Sequence, residues 1–142
     1  MALAKNYTKT FGTFQTCNWK SSGTLNQAIP DYNSTGTSHT LSISDSIKIE
    51  AVQIKVSAVH YQTGDLGVEL VSPSGTKSIL LNIINGFYET DDLSDMVLLS
   101  NAFYQENSAG SWTITVVDGV NLNWGTLTNW KIRFFGEGTC SN

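Results

Sequence analysis

Apolar residues recur at every second position along the middle of the chain, and the phase of this alternation changes once. Ile47 and Ile49 occupy odd positions, whereas the apolar residues from Val52 to Ala58 occupy even ones. One face of a β-strand takes every second residue, so the pattern predicts a long strand over residues 47–59. Because a change of phase needs an extra residue, we expect a bulge or sharp bend near Glu50-Ala51.

Three further segments alternate in the same way and predict strands. They are centred on Leu66, Val68 and Leu70; on Trp112, Ile114 and Val116; and on Trp130, Ile132 and Phe134. Residues 78–84 predict another, buried strand, and residues 85–96 predict a loop. No apolar stripe of useful length has the 3.6-residue helical period. The chain is therefore predicted to be an all-β sandwich or jelly roll, with Trp112 and Trp130 filling the space between its sheets.

Three short blocks place turn residues beside these strands. Gly64-Asp65-Leu66 leads to Ser72-Pro73-Ser74-Gly75-Thr76, Gly110-Ser111-Trp112 leads to Asp118, and Gly125-Thr126-Leu127 leads to Trp130 and Gly136. Ser, Pro and Gly at the first, second and fourth positions of the serine-rich segment predict a type I turn. The glycines suit backbone that a Cβ would obstruct, and Asp65 and Asp118 are suited to accept backbone N–H groups.

These blocks, in this order and preceded by Ile29-Pro30-Asp31, resemble the P-domain of kexin- and furin-like subtilisin proteases. The resemblance covers about residues 29–136. It implies a jelly-roll β-sandwich similar to galactose-binding domains, with residues 29–142 as the P-domain. Residues 1–28 depart from the family pattern, and we expect them to be an N-terminal extension that packs on the sandwich. The resemblance also implies a non-catalytic role in a secreted, bacterial protein, in which the domain docks in cis on a serine protease domain and supports its folding and stability.

Composition narrows the class of protein further. The chain has 142 residues, a net charge of −4 and only 14% charged residues, which fits one domain with a sizeable core. The acidic balance argues against a nucleic-acid partner, and no apolar run is long enough for a membrane-spanning helix. Abundant Ser, Thr, Asn and Gly favour an extracellular protein. Residues 1–5 lack the apolar core of a signal peptide, so we expect a piece of a longer chain.

Two cysteines, Cys17 and Cys140, lie near opposite ends of the chain. The termini of a sandwich often lie close together and the compartment is expected to be oxidising, so we predict a disulfide between them. A closure of this length is worth about 4–5 kcal/mol on the loop-entropy model. The alternative is a pair of free, unrelated thiols.

The candidate metal site is an acidic loop. Glu89, Asp91, Asp92 and Asp95 are close in sequence with no basic residue among them. Crowded carboxylates repel one another unless a cation or water screens them, and calcium accepts carboxylate oxygens at flexible spacing. The expected cofactor is therefore a structural calcium ion held by Asp91, Asp92 and Asp95, with Asp65 joining from a neighbouring loop. The alternative is a solvated acidic loop.

No catalytic constellation is evident. The chain has two histidines, His39 and His60, and lacks the Gly-x-Ser-x-Gly and His-Glu-x-x-His motifs. We expect both histidines to be ordinary surface or strand-end residues and the domain not to be an enzyme.

Two functions remain open from the residues alone. A module that docks on a protease needs an apolar patch, for which Phe87, Tyr88, Phe103 and Tyr104 are candidates, with burial in the core equally open for each. A module that binds a protein substrate or a carbohydrate needs exposed aromatic side chains, for which Tyr32, Tyr61 and Trp124 lie suitably beside turns. For Trp124, packing against the neighbouring strand is the favoured alternative.

Overall fold

The computed structural model describes residues 14–83, 92–121 and 124–141, and almost all of its regular structure is β-strand. A 3-10 turn spans Thr63–Asp65. The strands are β1 (Phe14–Thr16), β2 (Lys20–Ser21), β3 (Gln27–Ile29), β4 (Asn33–Ile43), β5 (Ser46–His60), β6 (Leu66–Val71), β7 (Lys77–Leu81), β8 (Leu93–Ser100), β9 (Gly110–Asp118) and β10 (Gly125–Thr139). The all-β class predicted from the alternation is confirmed.

The strands form two antiparallel sheets. One sheet has the order β1, β10, β5, β8, with β2 and β3 also paired to β10, and the other has the order β4, β9, β6, β7. From β4 to β10, the β6–β7 hairpin stays within one sheet, and every other described connection passes from one sheet to the other. The chain therefore winds around its core as in a jelly-roll sandwich, the architecture that the resemblance implied.

The core lies between the inner faces of the two sheets and contains both predicted tryptophans. Trp112 and Trp130 are completely buried. The Trp112 ring meets Phe103 edge-on, with ring centroids 5.0 Å apart, and its N–H donates to the Ser108 carbonyl at 2.7 Å. The Trp130 N–H donates to His39 Nδ1 at 3.0 Å. Both indoles thus combine apolar burial with a satisfied polar atom, which keeps their burial favourable.

The change of phase in β5 is a bulge, as predicted. Phe135 of β10 lies opposite Ala51, but the next residue, Gly136, lies opposite Ile49. Glu50 is therefore the extra residue, and it is exposed. Because the bulge absorbs one residue, Ile49 and Val52 both point into the core despite their unequal spacing.

The predicted buried strand over residues 78–84 is wrong in part. β7 ends at Leu81 and lies at the edge of the four-stranded sheet. Leu81 is 8% exposed, but Ile79 is 68% exposed. A strand at the sandwich surface turns one of its two faces to the core, so an apolar run does not by itself mean that both faces are buried. Ile84 lies outside the described residues.

The N-terminal segment lies along β10 and belongs to the same sheet. β1, β2 and β3 each pair antiparallel with β10, so the expected boundary between residues 28 and 29 falls inside a paired strand. The Trp19 ring lies beneath two cations of the sheet, 4.7 Å from Lys55 Nζ and 4.4 Å from the Arg133 guanidinium carbon. Backbone pairing and cation–π contacts therefore hold this segment on the sandwich.

A disulfide and a buried carboxylate join the two ends of the chain. Cys17 and Cys140 are bonded, with Cα atoms 5.4 Å apart and a sequence separation of 123. Asp45, completely buried beside this bond, accepts hydrogen bonds from the backbone N–H and hydroxyl of Ser141. Lys20 Nζ lies 3.4 Å from the same carboxylate and donates to the Ser141 carbonyl at 2.9 Å. The buried Asp45 charge is thus paired and hydrogen-bonded, as its burial requires.

Candidate functional site at the loop ends of the sandwich

Two of the turn-bearing blocks meet at one end of the sandwich. The Gly75 N–H donates to the Ser72 carbonyl at 2.9 Å, which closes the four-residue turn predicted from the sequence. A Cβ on Gly110 would lie 2.8 Å from the Pro73 ring, and the backbone of Gly110 has φ of +128°. The second block therefore needs glycine at the point where it crosses the proline of the first.

Glu106 connects two loops at this end of the sandwich. It is not among the site residues predicted from the sequence. Its Oε1 accepts hydrogen bonds from the hydroxyls of Ser72 at 2.8 Å and Ser74 at 2.5 Å. Burial raises the pKa of Glu106, but hydrogen bonds from Ser74, Ser72 and Thr76 outweigh that effect and hold the pKa below its ordinary value. The carboxylate thus ties the loop after β8 to the β6–β7 turn. Because its partners lie so far away in sequence, no local pattern marks the contact.

The first residues of the Gly64 and Gly125 blocks and the last residue of the Gly110 block, Asp118, meet around His60. Gly125 lies opposite His60 in the sheet, and a Cβ on it would lie 2.2 Å from the Val59 carbonyl oxygen. Asp118 lies opposite Leu66, and the Gly119 N–H donates to the Asp65 carbonyl at 2.9 Å. The blocks that carried the resemblance are therefore packing contacts between strand ends.

His60 is at a strand end, as expected, but its side chain is not at the surface. It is 1% exposed, and its Nε2 lies 3.0 Å from Asp118 Oδ2. Its Nδ1 accepts the Gln62 backbone N–H at 3.0 Å, so Nε2 carries the proton and donates to Asp118. A general base needs a ring nitrogen that reaches a reacting group, and both nitrogens are occupied here. The residue supports structure rather than chemistry.

The predicted calcium ligands in the described residues have different partners and do not converge. Asp92 Oδ1 accepts the His60 backbone N–H at 3.1 Å, and Asp95 Oδ1 lies 3.7 Å from Lys131 Nζ. Asp65 is 7% exposed in the 3-10 turn, whereas Asp92 and Asp95 are exposed. Asp91 and Glu89 lie outside the described residues. Across the described ranges, the carboxylates predicted to bind calcium form no compact group, so calcium binding stays a prediction.

One compact group of possible ligands does occur in the described part of the chain, and the disulfide rules it out as a metal site. Its ligand atoms belong to Cys17, Cys140 and Asp45. The two sulfurs are bonded to each other. A cysteine binds metal as a thiolate, so this cluster is structural.

The three aromatic residues predicted to contact a ligand are exposed at one end of the six-stranded sheet. Tyr32, Tyr61 and Trp124 are 67%, 65% and 72% exposed. The strand ends beside them meet at Gly125, which pairs with both Ile29 and His60. Tyr32 has a left-handed backbone with φ of 45° and lines a surface pocket of about 360 Å³ with Ile83, Val117 and Gly119. A backbone held in this strained region is a common feature of binding loops.

Of the residues proposed for a docking patch, the structure describes Phe103 and Tyr104, and of these two only Tyr104 is exposed. Phe103 is completely buried against Trp112, because the turn after β8 directs it into the core. Tyr104 is 54% exposed. Phe87 and Tyr88 lie outside the described residues. No helix in the described ranges is long and apolar enough to span a membrane.

The fold and these sites define a class: a β-sandwich module whose marked residues hold strand ends together rather than perform chemistry. The chain belongs to the family of proprotein convertase P-domains, whose model matches residues 49–134. What is matched is a non-catalytic domain of serine proteases. The family expected from the turn-bearing blocks is confirmed.

Several proteases contain a similar segment. The chain is 42% identical over 106 residues to the Aeromonas extracellular serine protease of Aeromonas sobria, a stretch that covers 66% of this chain and 17% of that protein. It is 30% identical over 90 residues to furin of Mus musculus, covering 63% of this chain and 11% of furin. The crystal structure of the Aeromonas sobria serine protease with its chaperone ORF2 superposes with a TM-score of 0.83 and 30% identity, over 96% of this chain and 30% of that chain. The matched segment is therefore less than a fifth of the length of either curated relative.

Proposed function

We propose that this domain is the accessory module of a secreted, bacterial subtilisin-like serine protease, and that it supports the folding and stability of the catalytic domain in cis. The observation that carries the proposal is the likeness to the Aeromonas sobria protease, which extends over 96% of this chain in the solved structure. The matched family is non-catalytic, so the contribution expected of this domain is to fold and to bind.

Features of the domain support each part of the proposal. A disulfide across nearly the whole chain suits an oxidising compartment outside the cytoplasm. Both ring nitrogens of His60 are occupied within the fold, and His39 Nδ1 accepts the Trp130 indole N–H, so neither histidine has both ring nitrogens available. A sandwich whose ends are joined by a disulfide and whose two sheets enclose one core is suited to support the folding of a neighbouring domain.

The experiment compares the intact protease polypeptide with a version that lacks this domain. Both are expressed and secreted in the same host, and the yield and thermal stability of active protease are measured. We expect the shortened polypeptide to give little active enzyme, with most of it degraded or aggregated. Equal yield and equal thermal inactivation of the two polypeptides would contradict the proposal.

The second candidate function is binding of a protein substrate or a carbohydrate at the aromatic end of the six-stranded sheet. It is favoured by the exposure of Tyr32, Tyr61 and Trp124 and by the strained backbone of Tyr32. Titration of the domain with soluble glycans and with casein, followed by Trp fluorescence, tests it. Saturable quenching that Trp124→Ala abolishes would support this function.

A further inference from the structure

Strand β8 is unusual because it is apolar on both of its faces. Met96 and Leu98 are half-buried against the core. Val97 and Leu99, which alternate with them, are 51% and 56% exposed. An antiparallel sheet that faces water normally alternates apolar inward residues with polar outward ones. β8 is the edge strand of its sheet, and among the described strands it pairs with β5 alone. Its outer face thus has apolar side chains where solvated polar ones are expected.

Cations lie beside these apolar side chains in two cross-strand rows. Val97 is opposite Lys55, which is opposite Lys131, and Leu99 is opposite Gln53, which is opposite Arg133. Side chains in register on neighbouring strands point to the same face of a sheet. We call the surface made by Val97, Leu99, Lys55, Lys131 and Arg133 the β8 face.

The β8 face is positive although the chain as a whole has a net charge of −4. Lys55 and Lys131 lie directly opposite each other, which is unfavourable unless an anion is nearby. Asp95 is an acid within reach, 3.7 Å from Lys131 Nζ, and it is half-exposed. Glu137 and Glu50 lie farther along the same strands at the bulge, where Glu137 is opposite Lys48. Among the residues that the structure describes, the centre of this face therefore has more positive charge than its acids offset.

We propose that the β8 face docks on an acidic, partly apolar surface of the protease domain in the same polypeptide; this inference rests on the proposed function. The cations are best paired with carboxylates across the interface, and Val97 and Leu99 are best packed against apolar side chains. A protein surface offers both kinds of group together. A second copy using the same face would bring cations against cations, which opposes a symmetric dimer. A polysaccharide or nucleic acid would leave the two apolar side chains without partners.

The test uses the intact protease polypeptide with two sets of changes in the β8 face. One is Lys131→Glu alone, and the other is Val97→Ser with Leu99→Ser. We expect each set to lower the yield of active secreted protease by about tenfold, towards the level of the polypeptide without the domain. Hydrogen exchange of β8 amides in the unmodified polypeptide should be slower than in the 142-residue chain alone.

Matched controls lie on the other sheet. Lys77→Glu reverses an exposed cation of β7, and Ile79→Ser removes an apolar side chain that is 68% exposed. These controls should leave the yield unchanged, and every variant of the isolated chain should keep its melting temperature within a few degrees. Lys55 and Arg133 are left unchanged because both lie over the Trp19 ring, so reversing them would weaken the attachment of the N-terminal segment as well as change the charge of the face.

The outcomes separate this inference from the proposed function. If removing the whole domain lowers the yield but the β8-face variants behave like the controls, docking through this face is overturned and the accessory role stands. If removing the domain has no effect, both fail. Concentration-dependent dimers of the isolated chain that either set of changes abolishes would also overturn the inference, because the face would then be occupied by a second copy.

Discussion

Glu106 explains why the turn from Ser72 to Thr76 is rich in hydroxyl side chains. The serine-rich segment satisfies the rules for a type I turn, but its hydroxyls also donate to a carboxylate from the loop after β8. The motif therefore encodes a contact as well as a turn. Since the hydrogen bonds hold the pKa of Glu106 below its ordinary value, the ionised carboxylate stabilises the folded state.

Replacing this carboxylate should change the dependence of stability on pH. Because the folded-state pKa is lowered, its contribution is fully present above the ordinary value of 4.5 and is lost as pH falls through the lower folded-state value. We expect Glu106→Gln to cost about 1 kcal/mol at pH 7 and progressively less at about pH 3–4. Urea unfolding at a series of pH values measures this difference, with Glu137→Gln as the control. A constant difference from neutral to acidic pH would contradict the assignment.

The buried pair of His60 and Asp118 gives a second prediction for single residues. Asp118→Ala leaves the buried His60 N–H without its acceptor, so we expect it to lower the free energy of unfolding by about 1–3 kcal/mol. Asp118 Oδ1 also accepts the Val120 backbone N–H at 3.0 Å, so Asp118→Asn keeps one of the two acceptor oxygens and should cost less than Asp118→Ala. Denaturant unfolding of the two variants provides the comparison, and equal losses would show that the hydrogen bond to His60 is not what matters.

Among the elements of the fold, the N-terminal strands and the disulfide both hold the N-terminal segment against β10. β1, β2 and β3 cover the edge of β10 that would otherwise be open to pairing with another chain. The disulfide fixes Cys17 directly after β1 and Cys140 directly after β10. The N-terminal segment is therefore part of the sheet, although its short strands have little alternation of their own.

Removing the disulfide should lower stability without changing the fold. The bond joins cysteines with a sequence separation of 123, and Cys17→Ser with Cys140→Ser is expected to cost about 2–5 kcal/mol. Thermal unfolding under non-reducing conditions measures the loss, and far-UV circular dichroism at low temperature checks that the strands persist. A melting temperature equal to that of the unmodified chain would show that Asp45 and the strand pairing are sufficient.

In the molecule as a whole, the two surfaces of interest lie on different parts of the sandwich. The β8 face is positive and apolar, and the aromatic end has Tyr32, Tyr61 and Trp124. Because the β8 face combines cations with exposed apolar residues in an acidic chain, it is the surface that we expect a partner protein to bind. The aromatic end remains available for a second partner when the β8 face is covered.

Calcium dependence is also a property of the whole molecule and stays a prediction. If the acidic loop binds calcium, the melting temperature rises with calcium over that with chelator, and Asp92→Asn reduces the rise because a carboxylate ligand is removed. Asp95→Asn serves as a comparison, since Asp95 is an ion-pair partner of Lys131 in the structure. Superimposable melting curves in calcium and in chelator would remove the prediction.

Much of the fold was predictable because burial imposes a period of two on strands. The bulge at Glu50 followed from the change of phase, and the buried tryptophans followed from their place in alternating segments. Tyr32, Tyr61 and Trp124, the candidates for ligand contact, are exposed, although packing against a neighbouring strand was favoured for Trp124. The sequence left Phe103 open between a surface patch and the core, and it lies in the core because backbone hydrogen bonds to Ile49, distant in sequence, fix the segment that follows it.

The family came from the resemblance of three blocks to a known domain, whereas local features could be obtained from the chain alone: the main strands, the bulge and the Ser72-Pro73-Ser74-Gly75 turn. These depend on spacing between near neighbours, which a linear chain records directly. The partners of Glu106, the burial of His60 beside Asp118 and the rows of the β8 face emerged with the folded arrangement. Each joins residues from different strands, and their meeting depends on sheet order and register, which follow from the free energy of packing the whole core.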